Sequence, residues 1–240
     1  MTPPLRVFVA GATGVIGRAL LPLLLRAGHV VTGTTRSPER AESLSRSGAH
    51  PVVVDVYDAA ALCKAVERAR PDVVIHQLTD LPDTLADTSE GRAAAVERNA
   101  RMRIEGTNNL LVATVAAGVG RVIAQSIAFL YAPGPTPYQE DAPLLPGRST
   151  EGVRALETGV TFTDGIAGVV LRYGRLYGPG TWTPVPEGAA PLHVDAAAQA
   201  AFLALDRGPA GVYNIAEDDG TVSIDKARRV LGFDPAFRRT

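Results

Sequence analysis

The chain has 240 residues, 46% of them hydrophobic, a formal net charge of -1 and a single cysteine. That length supports one large core with a small appended lobe, and a near-zero charge with scattered basic residues argues against a nucleic-acid or membrane-surface partner. Cys63 alone cannot form an internal disulfide, no apolar run reaches membrane-span length, and the N-terminus lacks a signal-peptide pattern, so the expected location is the cytoplasm.

The first element is the stretch Val7-Phe8-Val9-Ala10, an apolar strand that runs into Gly11, Gly14 and Gly17 and then into a helix. Gly11 can turn the chain tightly, Gly14 lets a pyrophosphate approach the backbone, and Gly17 lets the helix lie close to the sheet. The free N–H groups at the helix start then face the anion with the positive end of the helix dipole behind them. Gly11, Thr13, Gly14, Val15, Ile16 and Gly17 are therefore predicted cofactor contacts. The helix carries Ile16, Leu20, Leu23, Leu24 and Ala27 on one face, and Pro22 predicts a kink or a late restart.

Gly28 ends that helix, and His29 to Thr35 reads as the second strand. Its tip, Thr35-Arg36-Ser37, offers no carboxylate for the ribose hydroxyls and instead an Arg that suits a 2′-phosphate, with Ser37 capping the next helix and Pro38 at its first position. Arg36 and Ser37 thus favour NADP, with NAD as the alternative. Arg36 also reads as a solvated strand-end cation. Val52-Val53-Val54 is the third strand, closed by Asp55-Val56, and a helix over 59–69 leads to the fourth strand, Pro71 to His76. Gln77, Leu78 and Thr79 follow at its C-terminal end, where ligands of open α/β sheets collect. His76 has no His, Cys or Asp at metal spacing, so it reads as a structural histidine and no metal site is expected.

The segment from Leu81 to Gly91 reads as a loop that would make a flap. A long helix then runs to about Ala117, with Asn99, Met102, Gly106, Leu110, Ala113 and Ala117 on one stripe. Arg121 to Ser126 is the fifth strand. Gly168 to Tyr173 is the sixth, followed by a Gly/Pro loop through Gly180. Thr181 to Ala190 is a Pro-rich connection. A helix through Leu205, a strand over 211–215 and a last helix ending near Phe233 complete the chain.

The Gly-x-x-Gly-x-x-Gly spacing resembles the short-chain dehydrogenase/reductase superfamily in its extended, epimerase/dehydratase-like branch. Leu171-Arg172-Tyr173, Tyr177-Gly178-Pro179-Gly180 and His193-Val194-Asp195 carry the resemblance over nearly the whole chain, with the substrate lobe cut down. It implies that Asp55 and Val56 meet the adenine, although Asp55 also reads as a plain strand stop. It implies an Asn near the active centre, which Asn99 fits, with a helix-positioning role as the other reading. Tyr173, Arg175 and Tyr177 would face the nicotinamide and substrate, and His193 would be structural. Pairing through the long helices would make a homodimer.

The resemblance also exposes a gap. Such reductases carry a Ser or Thr just beyond the fifth strand and a Tyr-x-x-x-Lys pair on the next helix, the Lys lowering the Tyr pKa and the Tyr moving the proton. Anchored on Tyr131, Ile127 holds the hydroxyl position and Ser126 stands one residue early. Anchored on Glu157, Ser149 stands where Tyr would be and Val153 where Lys would be. Arg154 is turned about 100° away from the lost Lys. Ser126, Ser149 and Thr79 remain as candidate proton relays. The prediction is an α/β, doubly wound parallel sheet (Rossmann-like), with an NADP-binding domain over 1–180 and a small, shortened C-terminal substrate lobe over 181–240. Its expected activity is that of an oxidoreductase or epimerase on a small carbonyl, carbinol or sugar-like molecule by a non-standard proton path. The alternatives are a cofactor-binding redox sensor and a non-redox isomerase or lyase.

Overall fold

The computed structural model describes residues 3–82, 84 and 88–239. Strands β1 (Arg6–Ala10), β2 (Val30–Thr35) and β3 (His50–Val53) alternate with helices α1 (Val15–Arg26), α2 (Pro38–Arg46) and α3 (Ala59–Ala69). After β4 (Val73–His76) comes one helical rod made of α4 (Ser89–Arg101), a π-helical turn (Met102–Gly106) and α5 (Thr107–Ala116). Then follow β5 (Arg121–Ile127), α6 (Arg148–Phe162) and β6 (Ala167–Tyr173). A short parallel ladder of β7 (Arg175–Tyr177) and β8 (Pro191–His193) precedes α7 (Val194–Leu203), β9 (Gly211–Ile215) and α8 (Asp225–Leu231).

Seven strands form one parallel sheet in the order β3-β2-β1-β4-β5-β6-β9. The chain reverses its direction of travel across the sheet between β1 and β4, so the connections leaving these two neighbours diverge and open a crevice beyond their C-terminal ends. Alternation along β1 fills both layers. Val7 and Val9 pack in one cluster with Leu20 and Leu24 of α1 and Ala197 and Ala201 of α7. Phe8 and Ala10 pack in the other with Leu62 of α3, Leu110 of α5 and Leu156 of α6. Burial on both faces is why the inner strands read as continuous apolar runs.

Helix starts follow local chemistry. Ser37 caps α2 by accepting from the Arg40 N–H, Asp58 caps α3 from Ala61, and Thr88 caps α4 from Gly91. α1 differs: its cap is Gly14, with no side-chain bond and no acid in the first turn.

Several expectations are corrected. Of the kink or late restart expected at Pro22, the restart does not occur: α1 is one helix from Val15 to Arg26 with Pro22 inside it. The missing hydrogen bond and ring clash, about 3 kcal/mol, are outweighed by burial of Leu20, Leu21 and Leu24 at 0%, 4% and 0% exposure. The third strand starts two residues earlier than expected and lies at the sheet edge, with Val53 52% exposed. The stretch after β6 holds a strand, β7, because β8 arrives beside it to pair Leu176 with Leu192. The long helix contains a π-helical turn where Gly106 passes Met102 and Val56; a Cβ there would stand 2.8 Å from the Met102 Sδ. Of the expected flap, residues 83 and 85–87 lie outside the described residues.

Candidate functional site

The crevice at the reversal point is a cleft of about 330 Å³, lined at its base by Ala10, Gly11, Thr13 and Gly14. Gly11 has φ +87°, and a Cβ there would lie 2.7 Å from the Gln77 carbonyl oxygen, so the β1 and β4 ends approach backbone to backbone. Gly17 has the same constraint from within: its Cβ would stand 2.5 Å from the Gly11 oxygen. The Gly11 N–H donates to Thr34 Oγ1 at 3.1 Å, and the Arg18 guanidinium donates to the Thr13 carbonyl at 2.7 Å. The glycine turn is thereby fixed with the uncapped start of α1 at its edge.

At the far side Arg36 and Ser37 line the cleft beside Thr34, Thr35 and Arg40. Arg36 makes an ion pair with Asp80 at 3.6 Å, and its side chain is 56% exposed. Such an exposed, long pair is weak and leaves the guanidinium able to exchange partners. Val54, Val56, Leu62 and Met102 supply the apolar wall, and Gln77, Leu78 and Thr79 close the β4 side.

The β4 end is held from beneath. His76 accepts from the Leu78 N–H through Nδ1 at 3.2 Å, and its Nε2 lies 2.9 Å from Thr107 Oγ1, an arrangement that assigns the ring proton to Nε2. Burial, then the Arg103 charge, pushes the His76 pKa down to about 4, so the ring is neutral. The Gln125 amide donates to the Leu78 carbonyl at 2.9 Å. Gln77 is itself buried at 6% exposure, and its Nε2 reaches only the Tyr173 hydroxyl at 3.4 Å. The Gln77 Oε1 has no hydrogen-bond partner among the described residues. A buried acceptor without a donor is an unpaid debt in the folded chain, and in a cleft it is a place for a ligand N–H or O–H.

Across the β5 and β6 ends a second set of polar groups engages one another. Arg172 grips Glu157 through Nε to Oε1 at 2.8 Å and Nη2 to Oε2 at 2.7 Å. The Ser126 hydroxyl donates to the same Glu157 Oε1 at 2.7 Å. Arg172 Nη1 donates to the Tyr131 hydroxyl, which in turn donates to Asn214 Oδ1 at 2.7 Å. Burial raises the Tyr131 pKa, so this phenol stays protonated.

The structure thus separates the predicted residues. Gly11, Thr13, Gly14, Arg36, Ser37, Val56, Gln77, Leu78 and Thr79 line one cleft. Val15, Ile16 and Gly17 stand beside it in the first turn of α1. Asp55 is turned to its own backbone, accepting from the Tyr57 N–H, and Asn99 accepts from the Asp80 N–H. Of the three proton-relay candidates, Thr79 lines the cleft; Ser126 is 1% exposed and bound to Glu157, and Ser149 is half-buried in the first turn of α6. Val153 is fully buried. Tyr173 reaches the cleft only through Gln77, Arg175 lies over the Phe129 ring at 4.5 Å, and Tyr177 donates to Glu217 at 2.6 Å. His193 accepts from the Asp195 N–H and caps α7. Sequence reasoning passed over Thr34, Thr35, Arg40, Leu62 and Met102. Two hydroxyls before Arg36 and an Arg one turn into α2 were available signals; the apolar wall had none.

Residues 7–201 match the NAD dependent epimerase/dehydratase family. The chain is 42% identical over 242 residues to a Streptomyces protein described as a 3-diazoavenalumate denitrifying reductase, a match covering 90% of this chain and 77% of that one. It is 29% identical over 269 residues to the dTDP-4-dehydrorhamnose reductase of Streptomyces griseus, covering 98% and 79%. Among solved structures, the UDP-glucose 4-epimerase of Thermotoga maritima superposes with a TM-score of 0.80 at 18% identity over 97% of this chain and 94% of that one, which speaks for the fold. The family match spans the strand-glycine-helix turn, the reversed sheet order and the cleft between them, and the chain belongs to the NAD dependent epimerase/dehydratase family.

Proposed function

We propose that this chain is an NADP-dependent reductase that delivers hydride to a small aromatic diazo compound, releasing its two nitrogens as N₂. The observation that carries the cofactor half is the cleft itself. It has an uncapped helix start beside a glycine turn, an Arg and a Ser at the β2 tip, and the unpartnered Gln77 Oε1. These residues fit a dinucleotide. The start of α1 would hold the pyrophosphate, Arg36 and Ser37 would hold the 2′-phosphate, and Gln77 would accept from a hydroxyl or amide nearer the reacting end. When bound, NADPH supplies a hydride.

The substrate half rests on what stands at the reacting end. A carbonyl reduced there becomes an alkoxide and needs a proton donor, whereas position 149 is a serine, position 153 a buried valine, Ser126 is tied to Glu157, and Thr79, the relay candidate that lines the cleft, offers only an aliphatic hydroxyl, a poor acid. An aryl diazonium makes no such demand. It carries its own positive charge: a hydride supplied by bound NADPH would become the new C–H hydrogen of the arene as the C–N bond breaks and N₂ leaves, two electrons passing from the cofactor to the ring with no proton donor required of the protein. The 42%-identical relative described as a denitrifying reductase supports this choice over a sugar or carbinol.

The test combines two arms. Mixed with NADPH and 4-carboxybenzenediazonium, the protein should oxidise one NADPH for each N₂ released, while a panel of ketones and nucleotide sugars is left untouched. Turnover of the ketones without the diazonium overturns the substrate assignment. Arg36→Ala should weaken NADPH by about 10- to 100-fold, the worth of a charge-assisted bond, and leave NADH nearly unchanged. Equal losses for both nucleotides overturn the phosphate assignment.

A further inference from the structure

The sequence puts no acid at the tip of β2, yet the fold brings one there from another strand. Asp80, four residues past the end of β4, holds its Oδ1 3.6 Å from the Arg36 Nη2. Arg36 and Ser37 line one wall of the cleft, and Leu78 and Thr79, the residues just before Asp80, line the other. The ion pair therefore joins the two walls.

Asp80 is the anchored member of this pair. Its N–H donates at 3.1 Å to the Oδ1 of Asn99, an α4 residue only 6% exposed. Two residues on, the Pro82 carbonyl accepts from the Trp182 indole N–H at 3.2 Å. Bonds to the backbone at Asp80 and Pro82 thus fix where the carboxylate stands, and its side chain is 22% exposed against 56% for Arg36. The arginine has the longer stem and more water around it, so it is the partner that moves when the pair opens.

This arrangement sets up a competition. A 2′-phosphate gains the Arg36 fork only by drawing it from Asp80, and the carboxylate is then left beside a second anion without its counter-charge. A nucleotide with a free 2′-hydroxyl demands no such exchange and leaves the pair intact. We propose that Asp80 is a specificity-determining residue of the cofactor cleft, holding Arg36 against the 2′-phosphate and so setting how strongly NADPH is preferred over NADH. The assignment rests on Arg36 as the phosphate ligand, the cofactor half of the reading above.

The experiment is a double-mutant cycle on the wild type, Asp80→Asn, Arg36→Ala and the double variant, read by equilibrium binding of NADPH and NADH through nicotinamide fluorescence at low ionic strength. Asp80→Asn keeps the backbone bond to Asn99 and removes the charge. It should tighten NADPH by about two- to fivefold, the worth of an exposed ion pair, and move NADH by less than about 1.5-fold. Without Arg36 the same substitution should change NADPH by about 1.5-fold or less, because nothing is then left to compete for. NADPH binding in Asp80→Asn equal to that of the wild type overturns the proposal. So does a full tightening that persists in the double variant, which makes Asp80 a repulsive charge acting without Arg36. A loss of NADH affinity with NADPH unchanged overturns it in favour of a carboxylate that accepts from a ribose hydroxyl. Thermal melting reports the fold, and should Asp80→Asn not fold, Asp80→Ser carries the same comparison. A selective loss of NADPH in Arg36→Ala with no effect of Asp80→Asn removes this proposal and leaves the cofactor reading standing. Equal losses of both nucleotides in Arg36→Ala remove the two together.

Discussion

The two ends of the sheet's C-terminal edge use polar residues in opposite ways. Around β1, β2 and β4 the groups face a cleft with little to hold: a glycine turn, an uncapped helix, a loosely paired Arg36 and an unpartnered Gln77 oxygen. Around β5, β6 and β9 Ser126, Glu157, Arg172, Tyr131 and Asn214 satisfy one another in the interior. The lesson is that a hydroxyl at a strand end is available for chemistry only if its neighbours leave it free. The second region is a closed network that stabilises and positions, and the first is open to a ligand. Arg103, also buried on the closed side, makes no hydrogen bond or ion pair among the described residues, with Glu157 the carboxylate whose charge it feels.

Three measurements bear on this contrast. The largest effect is expected for Glu157→Ala. Removing the carboxylate strands Arg172 in the interior, which should lower unfolding free energy by about 3–5 kcal/mol in urea titrations. NADPH affinity of the remaining folded fraction should stay put. A variant of normal stability would show that the network is not what holds this side together.

The second is a pH dependence. In the unfolded chain His76 protonates near 6.5, and in the folded chain only near 4. The unfolded state therefore takes up the proton first as pH falls. The neutral, buried ring contributes stability that is fully present above about pH 6.5 and is lost between pH 6.5 and 4, by up to about 3 kcal/mol. His76→Asn should flatten the stability profile in that window; an unchanged slope would assign the acid sensitivity to other groups.

The smallest effect is expected for Ser126→Ala, which removes one of several bonds to Glu157. Stability should fall by about 1 kcal/mol and turnover should stay within about threefold. A hundredfold loss of turnover at normal stability would return Ser126 to the reaction and break the contrast between the two regions.

Much of the open region was legible. Gly11, Gly14 and Gly17 announce themselves because a tight strand-to-helix turn needs residues without a Cβ, and the three-residue spacing is a local property of the chain. Arg36 and Ser37 follow because the end of β2 is marked by the cap it begins, with Pro38 after Ser37. The closed region was not legible. Ser126, Glu157 and Arg172 are far apart in sequence, and no periodicity says that an acid on α6 will meet an Arg on β6. The π-helical turn and the burial of Arg103 were equally hidden.

The sequence by itself determined the succession of the seven strands of the large sheet and the helices between them, the glycine turn and the polarity of the β2 tip, since each is written in residues within one turn or strand of one another. Only the tertiary structure decided which charges pair. It also decided that α1 passes through Pro22 unbroken and that β7 finds β8. These outcomes depend on what packing brings together and shuts away from water: a buried charge or a missing hydrogen bond is tolerated or not according to neighbours that the local sequence does not contain.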